Sequence, residues 1–222
     1  MGLDMYLDRL PRIEGNDKHT VMAVEDYFEW LERGEKFKDT TFDKWGMYGW
    51  DDLPDVRTIE LFRPFYVDRH GYWDKEKRYP HKSIHESVGY WRKANQIHRW
   101  FVDNVQDGED DCGMYEVTED QLIELRDICI DVLENCVLMN GKVKSGERLD
   151  KNRWVPIYED GKVIINPEYA EERLPHSSGF FFGSDEYNEW YIHDLEETVK
   201  IINDVLKTTD FERQMICYCS SW

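Results

Sequence analysis

Residues 86–105 read ESVGYWRKANQIHRWFVDNV, and this stretch decides the predicted fold. Spaced at 100° per residue, Tyr90, Ala94, Ile97, Phe101 and Val105 share one stripe of a helix. Aromatic residues flank the stripe, so the apolar arc spans roughly 200°, about twice that of an ordinary surface helix. The pattern therefore predicts a helix over 86–105 that lies between two layers or under a long loop.

The remaining elements follow from periodicity, capping residues and turn residues. Strands are predicted at 2–8, 58–68, 114–117, 180–182 and 211–219; helices at 20–33, from Thr118 onward, at 167–174 and at 187–207; and a loop at 40–56. Residues 140–167 form a β-hairpin insertion whose turn is predicted at 159–161, and Pro64 weakens the strand that contains it. Strands and helices do not alternate regularly. We therefore expect a single compact α+β domain over 1–222, with about four principal helices on short, mainly antiparallel strands.

Composition excludes several classes of protein. Aromatic residues make up 14% of the 222 residues, which argues against a disordered chain. No apolar run approaches the ~20 residues of a membrane span, and the first twelve residues lack the pattern of a secretory signal. A net charge of −19 disfavours direct contact with nucleic acids and anionic membranes. Five cysteines without a C-x-x-C pair indicate a reduced, cytoplasmic protein.

A first candidate ligand site lies in the central stretch. Tyr90, Arg92, Lys93, Asn95 and His98 place cations beside aromatic rings, a combination that can hold a phosphate or a base. His98 is the candidate general base, or alternatively a packing residue at the core edge. Lys93 falls inside the apolar arc, where it either reaches water past neighbouring rings or meets a buried carboxylate such as that of Asp4.

A second candidate is the small-residue loop PHSSG at 175–179, in which Ser177 and Ser178 follow His176. The loop lacks the G-x-S-x-G pattern of a serine nucleophile, so close backbone approach to a ligand is the favoured interpretation. Three candidate metal-ligand groups show no established ligand spacing: His81/His85, Asp110/Asp111/Cys112 and Cys217/Cys219. We therefore predict no metal and no cofactor.

Acidic residues crowd the stretch 107–120, at Asp107, Glu109, Asp110, Asp111, Glu116, Glu119 and Asp120. A solvated surface explains such a cluster, and so does a patch that imitates nucleic-acid phosphates. Both interpretations stay open at this point.

Three segments resemble a known group of proteins: MGLDMYL at 1–7, VGYWRKANQIHRWFVDNVQ at 88–106 followed by DDC at 110–112, and GFFFGS at 179–184. They are similar to a family of phage- and prophage-associated proteins of uncharacterised activity. The resemblance implies a mobile-element setting in the cytoplasm of a host bacterium, where small acidic proteins often act on host machinery by binding, including in counter-defence.

Three functions follow as hypotheses. The preferred one is non-catalytic binding of a host protein with a basic surface or of a small anionic ligand. The first alternative is an enzyme acting on a nucleotide or another small anion, in which Arg92, Lys93 and Asn95 orient the substrate and His98 handles the proton. The second alternative is nucleic-acid mimicry.

Overall fold

The computed structural model describes residues 2–33, 55–72, 74, 76–179 and 182–222. Its elements, in chain order, are β1 (Asp4–Pro11), α1 (Lys18–Arg33), α2 (Val56–Phe62), β2 (Val67–Arg69), β3 (His81–Ser83), β4 (Glu86–Arg92), α3 (Asn95–Asn104), β5 (Tyr115–Val117), α4 (Glu119–Asn135), β6 (Leu138–Asp150), β7 (Arg153–Ile164), α5 (Pro167–Arg173), α6 (Glu189–Thr208) and β8 (Gln214–Ser221). The predicted α+β class with antiparallel sheets is confirmed. None of the helices in the described ranges combines the length and apolar character that a bilayer crossing requires.

The chain divides into two compact units. The N-terminal unit contains Tyr6–Tyr90 and Thr209–Tyr218, and the C-terminal unit contains Met1–Met5, Trp91–Thr208 and Cys219–Trp222. A four-stranded sheet has the order β4-β1-β8-β5, while β2 pairs with β3 and β6 pairs with β7. Strands β1, β4 and β8 each contribute residues to both units.

The core of the N-terminal unit comes from both faces of β1 and from one face of α1. Leu7 and Leu10 of β1 are fully buried, as are Val21 and Val24 of α1. In the C-terminal unit, the predicted inner face of α6 is confirmed, because five residues spaced by a helical period are all buried: Tyr191, Leu195, Thr198, Ile202 and Val205.

The predicted helix over 86–105 is wrong in its first half. Residues 86–92 form strand β4, and the helix begins only at Asn95. The break lies at Lys93, which has a left-handed backbone conformation (φ 62°) and donates its N–H to the Leu3 carbonyl at 2.8 Å. The aromatic residues around Trp91 favour a strand, and pairing within the sheet stabilises it over the helical alternative.

Two further predictions fail for local reasons. The predicted strand at 58–68 contains helix α2 instead, because the Asp55 carboxylate caps it by accepting hydrogen bonds from the N–H groups of Arg57 and Thr58. The hairpin turn lies at Lys151 and Asn152, both with positive φ, and the predicted turn at 159–161 lies within β7. The predicted loop at 40–56 lies almost wholly outside the described residues. Residues 180 and 181 of the predicted strand at 180–182 also lie outside the described residues, and Phe182 is not in a strand.

The predicted start of helix α4 is confirmed as a capping box. The Thr118 hydroxyl accepts a hydrogen bond from the Gln121 N–H, and the Gln121 side chain accepts one from the Thr118 N–H. Each bond satisfies a donor that the first helical turn would otherwise leave unpaired.

Thr118→Ala is therefore expected to lower the free energy of unfolding by about 1 kcal/mol. Urea denaturation followed by circular dichroism measures the change, and Thr118→Ser serves as the matched control because it keeps the hydroxyl. Equal stability of the alanine variant and the wild type would show that the cap contributes nothing.

Candidate functional site

The predicted cations of the central stretch lie at the surface. Arg92 and Lys93 are both exposed, and the Arg92 guanidinium, rather than the Lys93 ammonium, approaches the Asp4 carboxylate, at 3.6 Å. Tyr90 is half-buried within β4 and contacts the ring of Tyr6, with 5.5 Å between ring centroids. Lys93 therefore does not lie in an apolar arc, and the prediction that a buried anion meets it is wrong.

Asn95 and Ser177, from the two predicted candidate groups, do meet in the structure. The buried Asn95 amide accepts hydrogen bonds from the His176 ring at 2.6 Å and from the Ser177 N–H at 3.2 Å. Its amide NH₂ donates to the carbonyls of Phe182 and Ser184. These four bonds use the full capacity of the amide, so Asn95 ties together residues 176, 177, 182 and 184. Ser178 is exposed.

His98 is sealed in the core of the C-terminal unit. Only 1% of it is exposed, its Nε2 lies 3.0 Å from Asp110 Oδ2, and its ring packs edge-on against Phe182. Asp110 also accepts a hydrogen bond from the indole of Trp222 at 3.1 Å. His98 and the exposed Lys93 therefore do not open into one pocket, and the structure does not assemble the site predicted from the central stretch.

The candidate metal pairs do not gather either. His81 lies exposed in β3 and His85 lies just before β4, so the helical spacing that would align their rings is absent. Among the residues that the structure describes, no three histidine, cysteine, aspartate or glutamate side chains form a group that could hold a metal ion.

The N-terminal unit contains a buried ion pair that the sequence did not reveal. Glu25 of α1 is 3% exposed, and its Oε1 lies 2.8 Å from His85 Nδ1 and accepts a hydrogen bond from the Ser83 hydroxyl. Its Oε2 accepts hydrogen bonds from the N–H groups of Ile84 and His85, at 2.8 and 3.0 Å. One carboxylate thus fixes both the backbone of 83–85 and the imidazole.

The pair is ionised near neutral pH. Burial by itself would raise the pKa of the Glu25 carboxyl, but the hydrogen bonds and charge of His85 together hold it below its ordinary value. Burial would likewise lower the pKa of His85, yet the Glu25 carboxylate raises it to about 9. His85 is therefore an imidazolium at pH 7.

Asp8 of β1 completes a group of three titratable residues, which we call the buried ionic cluster: Asp8, Glu25 and His85. Asp8 is buried, and desolvation raises the pKa of its carboxyl to about 6, although the positive charge of His85 opposes the shift. Ionised Asp8 adds a second carboxylate to the cluster, so the cluster carries a net charge of −1 above the pKa of Asp8.

A cleft of about 310 Å³ lies in the same unit, and we call it the arginine cleft. Its lining consists of Arg9, Leu10, Pro11, Phe65, Arg69, Ile84, Glu86, Asp210, Arg213 and Gln214. Arg9 and Arg69 both contact one Glu86 oxygen, at 2.9 and 3.4 Å. Arg213 is 85% exposed, and its Nε lies 3.7 Å from Asp210. Three guanidinium groups therefore face two carboxylates.

The arginine cleft and the buried ionic cluster share one segment of chain. Arg69 donates hydrogen bonds to the carbonyls of Ser83 and Ile84, at 3.4 and 3.3 Å. The N–H groups of the same segment donate to Glu25. Segment 83–85 is therefore held from both sides, which fixes Arg69 at the wall of the cleft.

Residues of the cleft come from β1, β2, β4, the start of β8 and the segments next to these strands, so no local sequence pattern could identify them. The sequence offered one partial signal, because Leu7 and Leu10 fall on opposite faces of β1, which indicates a strand covered on both faces. Comparison with protein-family models, curated proteins and solved structures finds no match.

Proposed function

We propose that this protein binds a small anionic ligand in the arginine cleft and performs no reaction on it. The observation that carries the proposal is the charge of the cleft. Three arginines and two acidic residues line it, an excess of one positive charge, whereas the whole chain carries −19. A local reversal of charge in an acidic protein concentrates anions at that point.

The geometry favours a carboxylate or phosphate group on the ligand. Arg9 and Arg69 are held in place by Glu86, so little side-chain entropy is lost when they receive an anion. Planar guanidinium groups donate paired hydrogen bonds to the oxygens of such groups. Arg213 is mostly exposed and supplies the cation at the mouth of the cleft.

The rest of the lining indicates an organic ligand instead of an inorganic ion. Phe65, Ile84, Leu10 and Pro11 provide an apolar wall beside the guanidinium groups. Ligand pockets commonly combine apolar walls with a few polar groups that fix orientation. A phosphate monoester with a ring, such as a nucleoside monophosphate, has the corresponding chemistry.

The resemblance to phage- and prophage-associated proteins suggests the setting of this binding. We propose that the protein is an accessory protein of a phage or another mobile element, and that it acts in the host cytoplasm by sequestering such a ligand. This part of the proposal depends on the segments at 1–7, 88–106 and 179–184.

The proposal is tested by isothermal titration calorimetry with phenyl phosphate and adenosine monophosphate at low salt. We expect binding that weakens as salt rises, and that weakens about tenfold or more in Arg213→Ala because a charge-assisted contact contributes about 1.5–3 kcal/mol. Arg213 is mostly exposed, so its removal leaves the fold intact.

Arg57→Ala provides the matched control, since Arg57 is an exposed arginine of the same unit that does not line the cleft. Its affinity should stay within about twofold of the wild type, as expected for a distant surface charge. Absence of binding by both probes, or equal loss of affinity in the two variants, would refute the proposal.

A further inference from the structure

The hairpin formed by β6 and β7 is an extended arm. Its two strands pair over twelve residue pairs, which corresponds to about 40 Å at roughly 3.3 Å per residue. Its described hydrogen bonds to neighbouring elements extend from the base to the middle of the ladder, where the N–H groups of Lys162 and Lys144 donate to Glu189 and Glu186. An isolated two-stranded ribbon is marginally stable in water, so the far half of the hairpin lacks the support that a third strand or a helix would give.

The apolar face of the arm is a strip along β7, formed by Trp154, Pro156 and Tyr158 because side chains alternate along a strand. Their ladder partners on β6 are Leu149, Glu147 and Lys144, so one apolar and two charged residues border the strip. The exposed fractions are 60% for Leu149, 68% for Trp154 and 53% for Tyr158. A contiguous exposed apolar patch of this kind is typical of a surface that binds a partner.

The charge of the arm is opposite to that of the rest of the chain. Residues 138–164 contain six lysines and arginines and four acidic residues, so the arm carries +2 and the remainder of the chain carries −21. Lys151 and Arg153 at the tip are exposed. Within the same unit, exposed carboxylates crowd residues 107–120. The pKa of the Tyr115 hydroxyl is raised by desolvation, and then by its hydrogen bond to Asp111 and the negative charges of Asp111, Glu109 and Asp107.

We propose that the β6–β7 arm docks on a second copy of this chain, with its apolar face and basic tip against the acidic surface formed by residues 107–120. The charge complementarity selects this occupant, because each copy carries both a basic arm and an acidic surface. Reciprocal docking of the two arms gives a closed dimer with twofold symmetry. Trp154, the most exposed aromatic side chain of the arm, is the anchor of the interface.

Sedimentation equilibrium over a range of protein and salt concentrations tests the proposal on the full chain. We expect a dimer at low salt that dissociates as salt rises. Trp154→Ala should raise the dimer dissociation constant about 30-fold or more, which is the size of effect at an interface anchor. A wild-type chain that stays monomeric under all conditions overturns the proposal.

Charge exchange tests the two surfaces separately. The double variants Lys151→Glu with Arg153→Glu, and Glu109→Lys with Glu116→Lys, should each be monomeric, and an equimolar mixture should form a heterodimer. Circular dichroism confirms that each variant is folded. Failure of the mixture to associate refutes the proposed contact. Arm-dependent binding of a monomeric chain to phosphatidylglycerol vesicles or to oligothymidine also refutes it, since the occupant would then be a membrane or a nucleic acid.

Discussion

Replacing Glu25 with alanine is expected to lower the free energy of unfolding by about 3–5 kcal/mol, as for other buried ion pairs that lose one partner. The carboxylate accepts hydrogen bonds from the Ser83 hydroxyl and from the N–H groups of Ile84 and His85. Its removal leaves the two backbone N–H groups unpaired and takes away the anion that keeps His85 charged. Urea unfolding at pH 7, followed by tryptophan fluorescence, measures the difference.

Glu32→Ala is the matched control on the same helix. Glu32 pairs with Lys82 at 2.6 Å, which is shorter than the distance between Glu25 and His85. The side chains of Glu32 and Lys82 are, however, both nearly half exposed. Exposed pairs contribute about 0–1 kcal/mol, since water screens the charges. A loss at Glu25 no greater than the loss at Glu32 would show that burial does not strengthen the inner pair.

Sequence patterns predicted the elements that carry their own local signals. Helix α4 has a capping box at Thr118, and α6 shows helical periodicity over twenty residues. Strand β4 carried no such signal, because its aromatic residues joined the apolar positions of α3 into one continuous stripe. The unusual width of that stripe came from joining a partly buried edge strand to a separate helix.

The candidate site was harder to predict than the fold for a physical reason. Asn95 and Ser177 do lie together, but the Asn95 amide is saturated by protein groups. The arginine cleft combines Arg9, Arg69 and Arg213, which are separated by most of the chain. Only the pairing of strands brings them together, so spacing along the sequence contains no trace of the site.

His85 is expected to make stability depend on pH in the alkaline range. Its pKa is 6.5 ordinarily and about 9 in the folded protein, so the folded state holds the proton more tightly. The stabilisation is therefore fully present below pH 6.5 and is lost as pH rises through 9. The difference in pKa corresponds to at most about 3 kcal/mol. Urea unfolding between pH 6.5 and 9.5 measures the decline.

Comparison with His85→Gln removes the contribution of groups outside the buried ionic cluster, because those groups are common to both proteins. The variant should be less stable than the wild type at pH 6.5, and the difference in their free energies of unfolding should decrease steadily toward pH 9.5. In the wild type, Asp8 is ionised throughout most of the range, since the pKa of its carboxyl is about 6. If the difference in free energy of unfolding between the two proteins stays constant with pH, His85 is neutral in the folded protein. Its contact with Glu25 is then a hydrogen bond to a neutral imidazole and not an ion pair.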